Sequence, residues 1–466
     1  MSRKHFGTDG VRGVANSVLT PELTFSLGQA AGKWLGASGE IPRAVIGRDT
    51  RRSGSMLGAA LASGLCSMGV DVVTLGVAPT PTVAFAARVG EFGLGAIISA
   101  SHNPAPDNGI KFVGHDGRKL HDEVEEEIER LMEAESLERP TGEGLGTIES
   151  LAARSGGAPR DFIVEYEEFL VSLVPERLEG MKVALDAAHG AAYAIAPAVL
   201  KRLGATVFLT GTSPNGMNIN AEGGATKPER VQAFTKSTGA DVGVAFDGDA
   251  DRAVFSDEEG HLINGDRTIA IWSAHWKAEL EPRVVVGTVM SNGGFEQYLR
   301  QREIELLRTP VGDKHVARRL AETGAKIGGE QSGHIIFPER GPTGDGLVTM
   351  LEVLRVLKRE GRAASSFYRE FENWPQLLVN IGVQSRDGWD QGPLVSRALQ
   401  LAEAKLLGRG RLVARASGTQ PMVRIMVEAD EAGLRDEVAA TIVGAMKEEV
   451  GGQVTGQVDL THALGD

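Results

Sequence analysis

One cysteine in 466 residues, Cys66, excludes an internal disulfide, and its apolar helical setting reads as that of a small core residue in a reducing compartment. Aromatic residues are sparse at 5%, yet a hydrophobic share of 42% leaves ample apolar area for packed cores. Nowhere do about 18 apolar residues run together, as a membrane span requires. Behind the basic residues of Met1-Ser2-Arg3-Lys4-His5-Phe6-Gly7 no apolar stretch follows, so export is not expected and a cytoplasmic protein is. Positive charge is also short: 49 Lys and Arg against 62 Asp and Glu give a net charge of -13. Nucleic acid and anionic membranes select basic surfaces, so neither is an expected partner. A small anionic substrate would need locally placed cations instead.

At roughly 100 to 200 residues per domain the chain should hold three or four. Thr20 as a cap and Pro21 at the first helical position open a helix with apolar residues at Leu23, Leu27, Ala31 and Trp34. Short apolar strands at Ala44-Val45-Ile46, Val72-Val73 and Ala96-Ile97-Ile98 alternate with helical patterns, which predicts a mainly parallel, covered sheet. An acidic helix is expected over 122–135, and the Gly-, Pro- and Ser-rich stretch 139–159 reads as a boundary. Two further α/β cycles follow, and beyond Trp374-Pro375 alternating strands and the helix 434–447 predict a smaller α+β domain. The expected fold class is therefore α/β: three successive similar α/β domains with mainly parallel mixed sheets, plus a C-terminal α+β domain, around a central cleft. The expected spans are 1–155, 156–256, 257–370 and 371–466.

Each unit delivers a polar loop where open α/β sheets place ligands, at strand ends. In Ser99-Ala100-Ser101-His102-Asn103-Pro104 the strand exposes Ser101 beside His102 and near Lys111. Such a hydroxyl becomes a nucleophile with a base or a metal at hand. The Gly-x-Ser-x-Gly elbow of acyl transfer is absent, which leaves phosphoryl carriage as the better match. Read alone, the segment is equally a turn that stops a strand.

Asp247-Gly248-Asp249-Ala250-Asp251-Arg252 is more telling, because three carboxylates at alternate positions of a tight turn repel one another unless a hard cation lies between them. Mg2+, which takes oxygen ligands and a phosphate oxygen, is the natural candidate. An EF-hand calcium loop competes, with Glu258 at its twelfth position, but Arg252 stands where that loop needs glycine and a strand precedes it.

Gly328-Gly329-Glu330-Gln331-Ser332-Gly333-His334 offers the carboxylate of Glu330 and the hydroxyl of Ser332 as grips for sugar hydroxyls, or is simply a glycine-rich turn. Arg415-Ala416-Ser417-Gly418-Thr419-Gln420-Pro421-Met422-Val423-Arg424 combines two arginines with hydroxyls, as a phosphate cradle needs; a polar hairpin is the plainer reading.

These four loops, in this order, resemble the α-D-phosphohexomutase superfamily over nearly the whole chain. With Gly7-Thr8-Asp9-Gly10-Val11-Arg12-Gly13, Pro214-Asn215-Gly216-Met217-Asn218-Ile219-Asn220 and Gly287-Thr288-Val289-Met290-Ser291-Asn292, the motifs look most like those of the bacterial phosphoglucosamine mutases. The resemblance implies a phosphoserine at Ser101 and one Mg2+ per site on its phosphate with Asp247, Asp249 and Asp251. It places Arg12 and Arg252 near the transferring phosphate, His102 in the catalytic loop and Lys111 in proton transfer. Glu330 and Ser332 would hold the sugar, and Arg415, Ser417, Gly418, Thr419 and Arg424 the other phosphate. The implied reaction interconverts glucosamine 6-phosphate and glucosamine 1-phosphate through glucosamine 1,6-bisphosphate, feeding UDP-N-acetylglucosamine and cell-wall precursor synthesis, in a homodimer. Ala416, Gln420, His189 and the run Asp313-Lys314-His315 depart from the usual pattern, away from the nucleophile and the aspartates. Two alternatives stand beside this: a phosphoglucomutase or phosphomannomutase, and a non-catalytic phosphosugar- or calcium-binding protein.

Overall fold

The computed structural model describes residues 4–7, 10–134, 136–150, 160–417 and 421–464, which form four sheets of seven, five, four and four strands. The first helix, Pro21–Ser38, begins as its sequence dictates: the Thr20 hydroxyl accepts from the Leu23 amide at 3.2 Å, and Gly39 ends the helix with a left-handed φ of 81°. The acidic helix is shorter than the sequence pattern suggested, Asp122–Met132, with Glu133 as its cap; Glu135 lies outside the described residues.

In the first sheet, the strands Arg43–Arg48, Asp71–Val77 and Leu94–Ile98 pair in parallel, and Asp107–Gly114 returns antiparallel beside Leu94–Ile98. The second sheet repeats this plan: Val242–Phe246 runs parallel to Lys182–Asp186, and Ala253–Asp257 returns antiparallel. So does the third, with Gly328–Gly329 parallel to Val284–Thr288 and Ile335–Ile336 returning. A short turn can only reverse a chain, so each return strand is antiparallel, and the turn falls at the carboxyl end of a parallel strand. Those three turns are the serine, aspartate and glutamate loops. Leu94–Ile98 and Val242–Phe246 are buried at every residue, as strands covered on both faces must be.

The first unit has cores on both faces of its sheet. One continuous core runs from Tyr166 through Val244 and Ile335 to Phe367, so the second and third units are fused through shared apolar packing. The fourth sheet is wholly antiparallel, in the order Gly410–Ala416, Met422–Ala429, Gln376–Gly382, Gln453–Asp459, and has its own core under the helices Pro393–Leu406 and Ala432–Val450. It meets the third unit through a small apolar contact of Met290, Met426 and Leu460 and through a polar hub. There Glu428, fully buried, accepts from the Gly293 amide at 3.0 Å and from Arg411 Nε at 2.8 Å.

Candidate active site

The serine turn is held tightly. Ser101 is buried, has a left-handed φ of 50°, and its Oγ donates to Asp247 Oδ2 at 2.6 Å. His102 Nδ1 lies 3.4 Å from Ser101 Oγ. The aspartate turn crosses directly over: a Cβ on Gly248 would stand 2.5 Å from the Ser101 carbonyl oxygen, so only glycine permits this approach.

The carboxylates of Asp247, Asp249 and Asp251 are all buried, with one oxygen of each within 4.8 Å of the others. Burial, and then the charges of Asp251 and Asp249, push the Asp247 carboxyl well above its usual range. Asp251 goes the other way: burial opposes its charge, but Lys111 and His334 outweigh it and hold the group well below that range. Lys111 Nζ donates to Asp249 Oδ2 at 2.8 Å and sits 3.4 Å from Asp251 Oδ2; despite burial, these carboxylates raise its pKa. His334 Nδ1 stands 3.7 Å from Asp251 Oδ2, and although burial works against the cation, Asp251 brings the imidazole to about 9. Thr80 fixes Asp249 from the first unit, its hydroxyl donating to Oδ2 at 2.6 Å and its amide to the backbone carbonyl at 2.9 Å.

Asp249 Oδ1 and Asp251 Oδ1 are buried without a hydrogen-bond partner among the described residues. Orphaned hard oxygens converging on one point are the donor set a divalent cation requires, so these residues fit Mg2+. The calcium-loop alternative loses its twelfth ligand, because Glu258 turns away to take the Ser365 amide at 3.0 Å and the Ser365 hydroxyl at 2.5 Å.

A cavity of about 210 Å³ opens over this arrangement. Arg12, Ser101, Lys111 and Lys119 line it from the first unit, Asp251 and Arg252 from the second, Glu330 and His334 from the third. Cations therefore crowd one cavity of a chain whose net charge is -13, the local placement that an anionic ligand demands. Glu330 is oriented by the Gly312 amide, which donates to Oε1 at 2.8 Å. Ser332 is buried in the same turn but does not line the cavity.

None of the described fourth-unit residues lines it either. Arg415 and Arg424 face each other across paired strands, and burial and then the charge of Arg424 lower the Arg415 pKa. Ser417 follows, with its carbonyl accepting from Arg386 at 2.9 Å. Gly418 and Thr419 lie outside the described residues.

Sequence reasoning missed several parts of this frame: Arg51, Thr80 and Lys119. Asn220 stood inside a quoted motif, and its task emerges only here: its Nδ2 donates to the carbonyls of Ser101 at 2.8 Å and Asn103 at 3.1 Å. Cys66 is half-buried, its thiol donating to the Thr147 carbonyl at 3.4 Å, and burial followed by the charge of Asp71 pushes its pKa up to about 11.

Three α/β/α units that bring a hydroxyl, a carboxylate trio and a cation-lined cavity together, with an arginine-bearing fourth unit, define a hexose-phosphate mutase architecture. Family models for α/β/α domains I, II and III and the C-terminal domain of phosphoglucomutase/phosphomannomutase match residues 3–139, 161–260, 264–374 and 378–445. The chain belongs to the phosphoglucomutase/phosphomannomutase family, within the α-D-phosphohexomutase superfamily, and is an isomerase-class enzyme. More narrowly, it is 46% identical over 451 residues to the phosphoglucosamine mutase of Symbiobacterium thermophilum, covering 96% of this chain and 99% of the relative. The phosphoglucosamine mutase of Bacillus pumilus is 44% identical over 452 residues, with the same coverage. A crystal structure of a phosphoglucomutase/phosphomannomutase family protein from Burkholderia thailandensis superposes with a TM-score of 0.79 at 27% identity, covering 96% of this chain and 98% of that one.

Proposed function

We propose that this enzyme interconverts glucosamine 6-phosphate and glucosamine 1-phosphate, with Ser101 as the phosphoryl carrier. The observation that carries the reading is the Ser101 hydroxyl bonded at 2.6 Å to Asp247 inside the buried carboxylate trio. Asp247, Asp249 and Asp251, with a phosphate on Ser101, would hold Mg2+, which would offset charge on the transferring phosphoryl group.

The bond from Ser101 Oγ to phosphorus breaks as a sugar hydroxyl oxygen of glucosamine 6-phosphate bonds to it, and the hydroxyl proton passes through Lys111 to Ser101 Oγ. Glucosamine 1,6-bisphosphate results. After turning end for end it returns its other phosphate to Ser101 by the reverse exchange. Arg12 and Arg252 draw the phosphate to the serine, and His102 flanks the oxygen that accepts and releases it. Such transfer rests on positioning and charge rather than on covalent chemistry by other residues.

Glu330, which lines the cavity, takes the sugar, while Arg415, Ser417, Gly418, Thr419 and Arg424 take the phosphate that is not reacting. A cytoplasmic homodimer belongs to the same proposal. The relatives' 44–46% identity over nearly their full length supports the amino sugar. Turnover of glucosamine 6-phosphate at least about ten times that of glucose and mannose phosphates, a difference of about 1.4 kcal/mol, is expected. Equal turnover would overturn the sugar, and activity surviving in Ser101→Ala would overturn the carrier.

A further inference from the structure

We propose that Arg51 is the positioning residue of the nucleophile, holding the serine turn in its left-handed conformation from inside the first unit. The inference rests on Ser101 as the phosphoryl carrier.

The Arg51 side chain is 0% exposed. Its Nε donates to Asp49 Oδ2 at 2.8 Å, and its Nη2 to the carbonyls of Ser101 at 2.9 Å and Asn103 at 2.8 Å. Nη1 donates to the Asp107 carbonyl at 2.9 Å and to that of Pro104. The planar fork is thus spent on four main-chain oxygens of one loop. In a dry interior those oxygens would repel one another without a cation among them.

Asp49 closes the arrangement. Its Oδ2 also accepts from Ser99 Oγ at 2.6 Å, and Ser99 Oγ accepts from the Ser101 amide at 2.9 Å. Both peptide groups of Ser101 therefore hang from a single buried ion pair. That matters because a serine at φ of 50° is off its preferred backbone, and relaxation would carry Oγ away from Asp247.

Asn220 grips the Ser101 and Asn103 carbonyls from the second unit, so the loop is pinned from both sides of the cleft. Arg51 itself does not line the cavity, which separates it from the groups that touch substrate. Lysine cannot replace it, since one ammonium offers three donors from a single point where the loop needs a fork.

The test compares steady-state kinetics of full-length Arg51→Lys, Arg51→Ala and Ser99→Ala with wild type and Ser101→Ala. For a loop displaced by about 1 Å, both Arg51 variants should lose roughly a hundredfold or more in kcat while KM for the sugar phosphate stays within about threefold. Millimolar guanidinium should restore Arg51→Ala at least about tenfold by refilling the fork, and leave wild type and Ser101→Ala unchanged. Ser99→Ala, which removes only the hydroxyl link to the Ser101 amide, should lose about tenfold in kcat at unchanged KM. If Arg51→Ala fails to fold, Arg51→Lys and Ser99→Ala decide the matter. Values of kcat within twofold of wild type in those two variants, or an Arg51→Ala loss that guanidinium leaves untouched and that follows the thermal midpoint, overturn the assignment. An active Ser101→Ala would instead overturn the carrier on which it rests.

Discussion

The serine–aspartate junction and the arginine strands of the fourth unit handle charge in opposite ways. At the junction charged side chains are held by fixed partners: Lys111 and the Thr80 hydroxyl on Asp249, Arg51 on the serine turn. In the fourth unit two like charges, Arg415 and Arg424, stand directly opposite on paired strands, and Arg424 Nε is buried without a hydrogen-bond partner among the described residues. Like charges facing each other across strands are destabilising. An incoming phosphate would relieve that repulsion, whereas the junction lacks a cation for the orphaned oxygens of Asp249 and Asp251. On the proposed reading the reacting groups are preorganised in the first three units, and the fourth keeps its charges for the ligand.

The core packing draws the same line. The second and third units share one apolar core, while the fourth has its own and joins the third through the Glu428 hub. On the proposed reading, the carboxylate trio and Glu330 sit on the fused body, Ser101 sits on the first unit that Thr80 and Asn220 tie to it, and the phosphate arginines sit on a separately packed one.

Changes at the junction should therefore strike kcat, and changes in the fourth unit KM. The largest effect is expected for Asp249→Ala, which removes both a cation ligand and the partner of Thr80 and Lys111. Assayed by turnover, it should lose about a thousandfold or more in kcat, and chelation with EDTA should take wild type to the same floor, reversed by Mg2+. Next comes Gly248→Ala, whose Cβ would press on the Ser101 carbonyl from 2.5 Å. Displacing the two turns should lower kcat by about 10–100-fold with KM little changed. Arg424→Ala should raise KM by about 10–30-fold and leave kcat within about threefold. A kcat loss at constant KM in that variant would break the division.

A separate effect, on stability, concerns Asp345, which caps the helix Gly346–Glu360 in the fused core and accepts from the Tyr166 hydroxyl at 2.6 Å. Burial pushes its carboxyl up to about 6, against the lowering effect of that bond and of the Val348 and Leu347 amides; the Asp251 charge adds to the rise. A raised carboxyl binds its proton more tightly in the folded state, so stability rises as pH falls from about 6 toward 4. The shift is on the order of 3 kcal/mol in that window. In calorimetry, wild type should gain a few degrees over Asp345→Asn between pH 6.5 and 4 in the transition of the fused units, and nothing in that of the fourth.

Much of the site could be read from residues alone, because its signals are local. Alternating carboxylates after an apolar strand announce a cation site in Asp247, Asp249 and Asp251, and a serine at a strand end announces a nucleophile in Ser101. Thr20 and Pro21 mark the start of a helix for the same reason. The frame that aims these groups is not local. Asp49-Thr50-Arg51 looks like an ordinary polar turn until folding brings it under a loop 50 residues away. Thr80 is 169 residues from the carboxylate it fixes, and Asn220 is 119 from the carbonyl it holds. The fused core was hidden likewise, since each apolar run fits a unit with a core of its own.

The central claim is that Ser101 carries the phosphoryl group. Incubating the full-length enzyme with glucosamine 1,6-bisphosphate and mapping its peptides by mass tests this most directly. One added phosphoryl group, on Ser101, is the predicted result. No gain, or a gain on another residue with Ser101 unmodified, would contradict it.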